Sequence, residues 1–82
     1  MNRILVVEEK GVREYLEKRN ILKQYKQAKQ NFVEGRYQQI QLKKRQPRTL
    51  NEFQFRITKK YRAFGYFKEL HVFIVIEISD HQ

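Results

Sequence analysis

The hydrophobic pattern of the chain changes from helical spacing in its first half to alternation in its second half. Residues 3–8, RILVVE, form a β-branched run that predicts a first strand. Two apolar stripes at helical spacing follow and predict two helices. Asn20 would be the N-cap of the second helix, and Gly35 would end that helix. The stripes consist of Val12, Tyr15 and Leu16, and then of Ile21, Leu22, Tyr25, Ala28, Phe32 and Val33.

From residue 37 onward the apolar residues fall at every second position, which is typical of strands. Ile40 and Leu42 alternate with polar residues until Pro47 breaks the pattern. Phe53, Phe55 and Ile57 alternate in the same way, and 61–67 is a further aromatic strand with Glu69 in the turn after it. Residues 72–78 are nearly continuous β-branched sequence, which predicts a central strand buried on both faces.

These elements predict an α+β fold in the order β–α–α–β–β–β, with residues 1–82 forming a single domain. The two N-terminal helices would pack on one face of a small, mainly antiparallel sheet and leave the other face uncovered. A three-residue turn at 58–60 would place Arg56 and Arg62 opposite each other on that uncovered face. A two-residue turn at Lys59-Lys60 would place Arg62 with Phe55 instead, so residue polarity favours the longer turn.

The charge of the chain bears on its partners. It has 18 Lys and Arg against 9 Asp and Glu, which give a net charge of +9. Such an excess favours polyanionic partners, of which nucleic acid is one. No apolar run reaches the roughly 18 residues that a membrane span requires, and MNRILVVEEK turns acidic too early for a signal peptide. We therefore expect a cytoplasmic protein without a membrane partner.

Two basic segments provide candidate RNA- or phosphate-binding residues. LKKRQPR at 42–48 is either a strand edge protected by lysine against aggregation or a phosphate clamp. In FRITKKYRAFGYF at 55–67 the cations are either a solvated rim or a phosphate-binding groove, with Tyr61 the ring best placed to stack on a base. The candidates are Lys43, Lys44, Arg45, Arg48, Arg56, Lys59, Lys60 and Tyr61.

Motifs for other chemistry are missing from the sequence. It contains no glycine-rich phosphate loop, HExxH pair, CxxC pair or nucleophile elbow, and it has no cysteine. We therefore expect no metal and no small-molecule cofactor. His81 is either part of an exposed tail or a group for proton transfer, since histidine titrates near physiological pH.

The element order, FRITKKYRAFGYF and the hydrophobic strand that ends in ISDHQ together resemble the RelE/ParE superfamily, the toxins of type II toxin–antitoxin systems. The resemblance to its RelE/YoeB-like branch implies a ribosome-dependent, metal-independent mRNA endoribonuclease that inhibits translation and uses the RNA 2′-OH as nucleophile. It also implies mRNA, the ribosome and an acidic antitoxin as partners. Two alternatives remain open: a ParE-like inhibitor of DNA gyrase, and a basic nucleic-acid-binding domain without catalytic activity.

The resemblance also assigns roles to individual residues. Arg62 matches the active-site arginine that follows the hairpin turn, and His81 matches the penultimate histidine of the YoeB-like branch. Lys43, Lys44, Arg45 and Arg48 correspond to the basic strand and loop that hold RNA. The chain departs from that branch in ending with Gln82 instead of an aromatic residue. That branch also has a glutamate base in the loop before the hairpin, where Glu52 is the only acid of this chain and lies near the wrong end. RelE itself depends more on lysines, so the resemblance to RelE implies Lys43 or Lys44 in that role.

Overall fold

The computed structural model describes residues 3–45 and 51–80, which form an α+β domain. The predicted α+β class is confirmed, but the sheet has five strands, one more than the predicted order β–α–α–β–β–β contains. The elements in chain order are β1 (Leu5–Glu8), α1 (Val12–Lys18), α2 (Leu22–Val33), β2 (Lys43–Lys44), β3 (Phe53–Arg56), β4 (Arg62–Glu69) and β5 (Val72–Ser79).

The five strands form one sheet in the order β1-β5-β4-β3-β2, in which β1 pairs parallel to β5 and the other pairs are antiparallel. Side chains from the two helices and from one sheet face meet in a single core, as predicted. We call the other sheet face, which α1 and α2 leave uncovered, the open face. The core includes Val6, Leu16, Tyr25, Phe32, Phe55, Ala63, Phe73 and Val75.

The ends of α2 test two predictions made from the sequence. Gly35 has φ 80°, and its N–H donates to the carbonyl of Phe32, so the predicted C-terminal glycine is confirmed. The predicted N-cap is wrong, because Ile21 occupies that position and Asn20 has φ 57°. Asn20 instead makes the left-handed connection between the two helices, a conformation that asparagine tolerates better than most residues.

The segment after α2 is not the strand that the alternation predicted. Residues 37–41 form turns, and Gln41 has φ 51°, so regular pairing begins only at Lys43. The side chain of Ile40 is 2% exposed and enters the core. Its carbonyl accepts a hydrogen bond of 2.7 Å from the N–H of Arg56. Ile40 therefore closes the core beside β3 as part of a turn.

The last strand has the predicted central position but only one buried face. Phe73 and Val75 are fully buried toward the helices, whereas Ile74 is half-buried on the open face. One-sided burial follows from the two-layer architecture, since the helices cover one face of the sheet. Glu69, predicted in the turn before this strand, is the last residue of β4.

Candidate nucleic-acid interface

The loop between β3 and β4 has the three-residue length that residue polarity favoured. The N–H of Ile57 donates to the carbonyl of Tyr61 at 2.9 Å, which closes the loop over 58–60. Thr58 Oγ1 accepts hydrogen bonds from the N–H groups of Lys60 and Tyr61 at 3.1 and 3.0 Å. The hydroxyl thus replaces the turn glycine that the sequence lacks here.

This loop places two arginines opposite each other. Arg56 and Arg62 are direct partners in the register of β3 and β4, and their neighbours Phe55 and Ala63 are fully buried on the helix side. Because strand side chains alternate, both arginines point to the open face. We call Arg56 and Arg62 the arginine pair; its position confirms the predicted turn.

The arginine pair is incompletely satisfied by the protein. Nη1 of Arg62 is buried and has no hydrogen-bond partner, and it is the single side-chain nitrogen or oxygen in that state among residues 3–45 and 51–80. Arg56 donates from Nε to the carbonyl of Thr58 at 3.3 Å. A guanidinium stays charged, and a buried donor without an acceptor costs free energy. An anion on the open face would supply the negative charge that the arginine pair lacks among the described residues.

The side chains of the basic segment after α2 lie on different faces of the sheet and have different contacts. Lys43 pairs with Gln54 and shares the open face with the arginine pair, while Lys44 points to the opposite face. Arg45 donates to Glu52 at 2.9 Å, and its guanidinium lies 4.3 Å from the ring centroid of Phe64. Lys43 is therefore free to meet a ligand beside the arginine pair, whereas Arg45 is already engaged.

The hairpin loop carries two exposed lysines and a ring that is only partly available. Lys59 and Lys60 are exposed, and Tyr61 is half-buried and packs against the core. Lys60 Nζ lies 5.4 Å from the centroid of the Tyr61 ring. The ring of Tyr61 is therefore only partly exposed, and its stacking on a base stays a prediction. The predicted sites at Arg48 and His81 lie outside the described residues.

Sequence reasoning missed Phe64, which is 4% exposed although it lies on the open face. The Arg45 guanidinium covers the Phe64 ring. Phe64 is therefore buried beneath a cation on the open face and not in the core under the helices. The alternation within β4 could have placed Phe64 on the face of Arg62, but nothing in the sequence pairs it with Arg45. The Phe64 ring and the Arg45 guanidinium together form the sheet surface beside the arginine pair.

A polar cluster joins β1 to α2 away from the arginine pair. Glu8 accepts hydrogen bonds from the Tyr25 hydroxyl at 2.6 Å and from Lys29 Nζ at 2.8 Å. Desolvation opposes ionisation of Glu8, but the bonds from Lys29 and Tyr25 outweigh it, so the pKa of Glu8 is lowered. Burial, the hydrogen bond and the charge of Glu8 raise the pKa of Tyr25. The cluster fixes the helix layer on the sheet.

Two of the cavities border opposite ends of β3. An apolar groove of about 560 Å³ opens near the β4–β5 turn, where Tyr37, Phe53, Phe67 and Leu70 contribute to its walls. A smaller polar cleft of about 180 Å³ lies beside Arg56, between α2 and the turn that contains Ile40. Arg56 thus borders both the open face and the polar cleft.

Residues 3–45 and 51–80 contain no group of three or more His, Cys, Asp or Glu side chains placed to hold a metal ion. Within those ranges, no helix is both long and apolar enough to cross a membrane.

No protein-family model matches the chain, and no curated protein matches it. Function is therefore inferred from the arginine pair and its surroundings. These bring Arg56, Arg62 and Lys43 to one sheet face, with an unsatisfied cationic donor among them. Such a site can bind a phosphate group and stabilise negative charge on it.

Proposed function

We propose that this chain is a RelE-like toxin domain: a cytoplasmic, ribosome-dependent mRNA endoribonuclease that inhibits translation and is neutralised by an acidic antitoxin. The observation that carries the proposal is the arginine pair on the open face, in which the buried Nη1 of Arg62 has no hydrogen-bond partner among the described residues. A phosphate group would supply the negative charge that this pair lacks. The resemblance of the hairpin sequence to RelE-like toxins supports RNA as the source of that phosphate.

The charge and shape of the site support phosphate over a carboxylate partner from the protein itself. A guanidinium presents a planar fork of donors that matches phosphate oxygens, and it remains charged at every physiological pH. Glu52, the acidic residue directly before β3, is bound to Arg45. The net charge of +9 would draw a polyanion toward the surface before specific contacts form.

In the proposed reaction the RNA supplies the nucleophile, and this chain supplies the base, the phosphate-binding group and the acid. The 2′-oxygen attacks the adjacent phosphorus, the bond from phosphorus to the 5′-oxygen breaks, and a 2′,3′-cyclic phosphate and a 5′-hydroxyl result. Lys43 lies on the face where it would accept the 2′-OH proton. Arg62 would stabilise the charge on the pentacoordinate phosphorus, and His81 would donate a proton to the 5′-oxygen.

Exposed apolar side chains support an amphipathic, acidic partner. Leu5, Val7, Tyr37 and Leu70 are 39–81% exposed. Leu5 pairs with Val72 beside the β4–β5 turn, and Tyr37 and Leu70 line the apolar groove. A partner segment could bury these side chains at one end of the domain and extend acidic residues to the arginine pair at the other. That segment would then compete with RNA.

Primer extension on a translated mRNA after induced expression tests the proposal. We expect cuts within the coding sequence that disappear when translation is blocked. Arg62→Ala should abolish the cuts, whereas Lys18→Ala, which removes one positive charge from α1, should leave them unchanged. Intact transcripts together with altered DNA supercoiling would contradict the nuclease and favour the gyrase-directed alternative. Cutting by Arg62→Ala would show that the site assignment is wrong.

A further inference from the structure

The polar cleft beside Arg56, which we call the amide cleft, has an unusual lining for its size. Four carboxamide side chains form its rim, and two buried apolar side chains form its floor. The rim consists of Gln24, Gln27, Asn31 and Gln39, and the floor of Ala28 and Ile40. Carboxamides carry donors and an acceptor but no net charge, so the cleft suits a neutral planar group with a polar edge.

Local structure explains how these side chains converge. Gln24, Gln27 and Asn31 follow one another at i, i+3 and i+7 along α2 and therefore share one side of the helix. Gln39 approaches from the turn after α2, next to Ile40. That turn is held against β3 by the hydrogen bond from the Arg56 N–H to the Ile40 carbonyl. The rim is thus assembled from two elements whose spacing the core sets.

Most of the rim is available for a ligand. The side chains of Gln24, Gln27 and Gln39 are exposed and make no hydrogen bond to any described residue. Asn31 Oδ1 accepts a long bond of 3.4 Å from Arg36. Pockets for whole small-molecule ligands measure roughly 300–1,000 Å³. At about 180 Å³ the amide cleft fits one ring system, not a complete cofactor.

We propose that the amide cleft binds one nucleobase of the RNA strand whose phosphate is held by the arginine pair. This inference rests on the proposed function and specifies its substrate contact. Glutamine and asparagine pair with base edges through two hydrogen bonds, best known with adenine, whose N6 amino group donates and whose N7 accepts. The flat face of the base would cover Ala28 and Ile40.

The position of the cleft joins it to the phosphate site. Arg56 borders the amide cleft and is the direct cross-strand partner of Arg62. The amide cleft lies on the helix side of β3 and the arginine pair lies on the open face, so the end of the hairpin at the 58–60 loop separates the two subsites. A single-stranded RNA that passes round this loop can therefore place a phosphate at the arginine pair and another base of the same strand in the cleft.

Fluorescence anisotropy with the full chain tests the inference. The probes are a short single-stranded RNA and an abasic ribose-phosphate strand of the same length and charge. The double variant Gln24→Ala/Gln27→Ala should bind the intact RNA at least about fivefold more weakly. Its affinity for the abasic strand should not change. Gln30→Ala removes a carboxamide of α2 that does not line the cleft, so it should bind both strands as the wild type does.

The outcomes separate this inference from the proposed function. Equal effects of the double variant on the two strands, or no effect on either, would overturn base binding in the cleft. The phosphate site would still stand if Arg62→Met weakens binding to both strands. If Arg62→Met weakens neither, or the wild type binds neither, the proposed function fails as well. Circular dichroism spectra and melting temperatures show that each variant is folded.

Discussion

Arg56 of β3 and Arg62 of β4 lie directly opposite each other on the sheet face that the helices leave uncovered. Like charges in this cross-strand relationship repel, and the buried Nη1 of Arg62 has no acceptor among the described residues. Neither feature stabilises the fold. Under the proposed function a ligand supplies the missing negative charge, so the requirements of function and of stability differ at this pair.

Replacing Arg62 by methionine should not destabilise the protein. Arg62→Met removes the unpaired donor and the repulsion with Arg56 but keeps an unbranched apolar chain. We expect the free energy of unfolding to stay constant or to rise by about 1 kcal/mol. Urea denaturation at neutral pH measures this change, and the same variant should lose cleavage of translated mRNA.

Arg45→Met is the matched control, because Arg45 is paired with Glu52 and covers the Phe64 ring. Its loss leaves a half-buried carboxylate unpaired and should lower the free energy of unfolding by about 1 kcal/mol. If Arg62→Met destabilises the protein as much as Arg45→Met does, Arg62 has a structural role and the argument for a ligand fails.

Thr58 should help to hold the arginine pair in position, because its hydroxyl stabilises the 58–60 loop. Thr58→Val keeps the shape of the side chain but removes the acceptor for the N–H groups of Lys60 and Tyr61. We expect a loss of about 1 kcal/mol in the free energy of unfolding and weaker RNA binding. Thr58→Ser retains the hydroxyl and should behave as the wild type in denaturation and binding assays. Equal losses in the two variants would contradict the role of the hydroxyl.

Glu8 should make stability depend on pH. Its pKa is lowered in the folded state, so the unfolded chain takes up a proton first as the pH falls. The Glu8 contribution is therefore present at neutral pH and is lost progressively below about pH 4.5. Urea denaturation from neutral pH to about pH 3 should show a smaller decline for Glu8→Gln than for the wild type.

The control for this pH effect is Glu14→Gln, which removes a carboxylate from the exposed surface of α1. Its denaturation curves should keep the pH dependence of the wild type. At neutral pH, Glu8→Gln should be less stable by about 1 kcal/mol, since Lys29 and the Tyr25 hydroxyl lose a charged acceptor. An unchanged pH profile for Glu8→Gln would contradict the prediction.

Gly65 should tolerate no side chain. A Cβ at this position of β4 would clash with the carbonyl oxygen of Ile74 and lie 2.7 Å from the Phe73 ring. We expect Gly65→Ala to lower the free energy of unfolding by about 3 kcal/mol, the upper range for overpacking. Gly35→Ala meets open space and should cost only about 1 kcal/mol, for its left-handed backbone. If Gly65→Ala lowers the free energy of unfolding less than Gly35→Ala does, the close approach of β4 to β5 at Gly65 is contradicted.

Several features of the site were predictable because they follow from local periodicity. Alternation around Phe55, together with residue polarity, was enough to place Arg56 and Arg62 on one face. The apolar stripe of α2 and its terminal Gly35 were equally readable. The alternation at Ile40 and Leu42 gave a wrong prediction, because a buried residue in a turn and an inward residue of a strand look alike in sequence.

The sequence by itself determined the α+β class, the helix stripe and the faces of the hairpin strands, since backbone geometry imposes the periods of 3.6 and 2 on nearby residues. Only the tertiary structure decided that Arg45 pairs with Glu52 and that Gln39 and Gln27 line the same cleft. It also left Nη1 of Arg62 without a partner among the described residues. These relationships join segments whose relative positions depend on strand register and helix docking, and no local pattern encodes them.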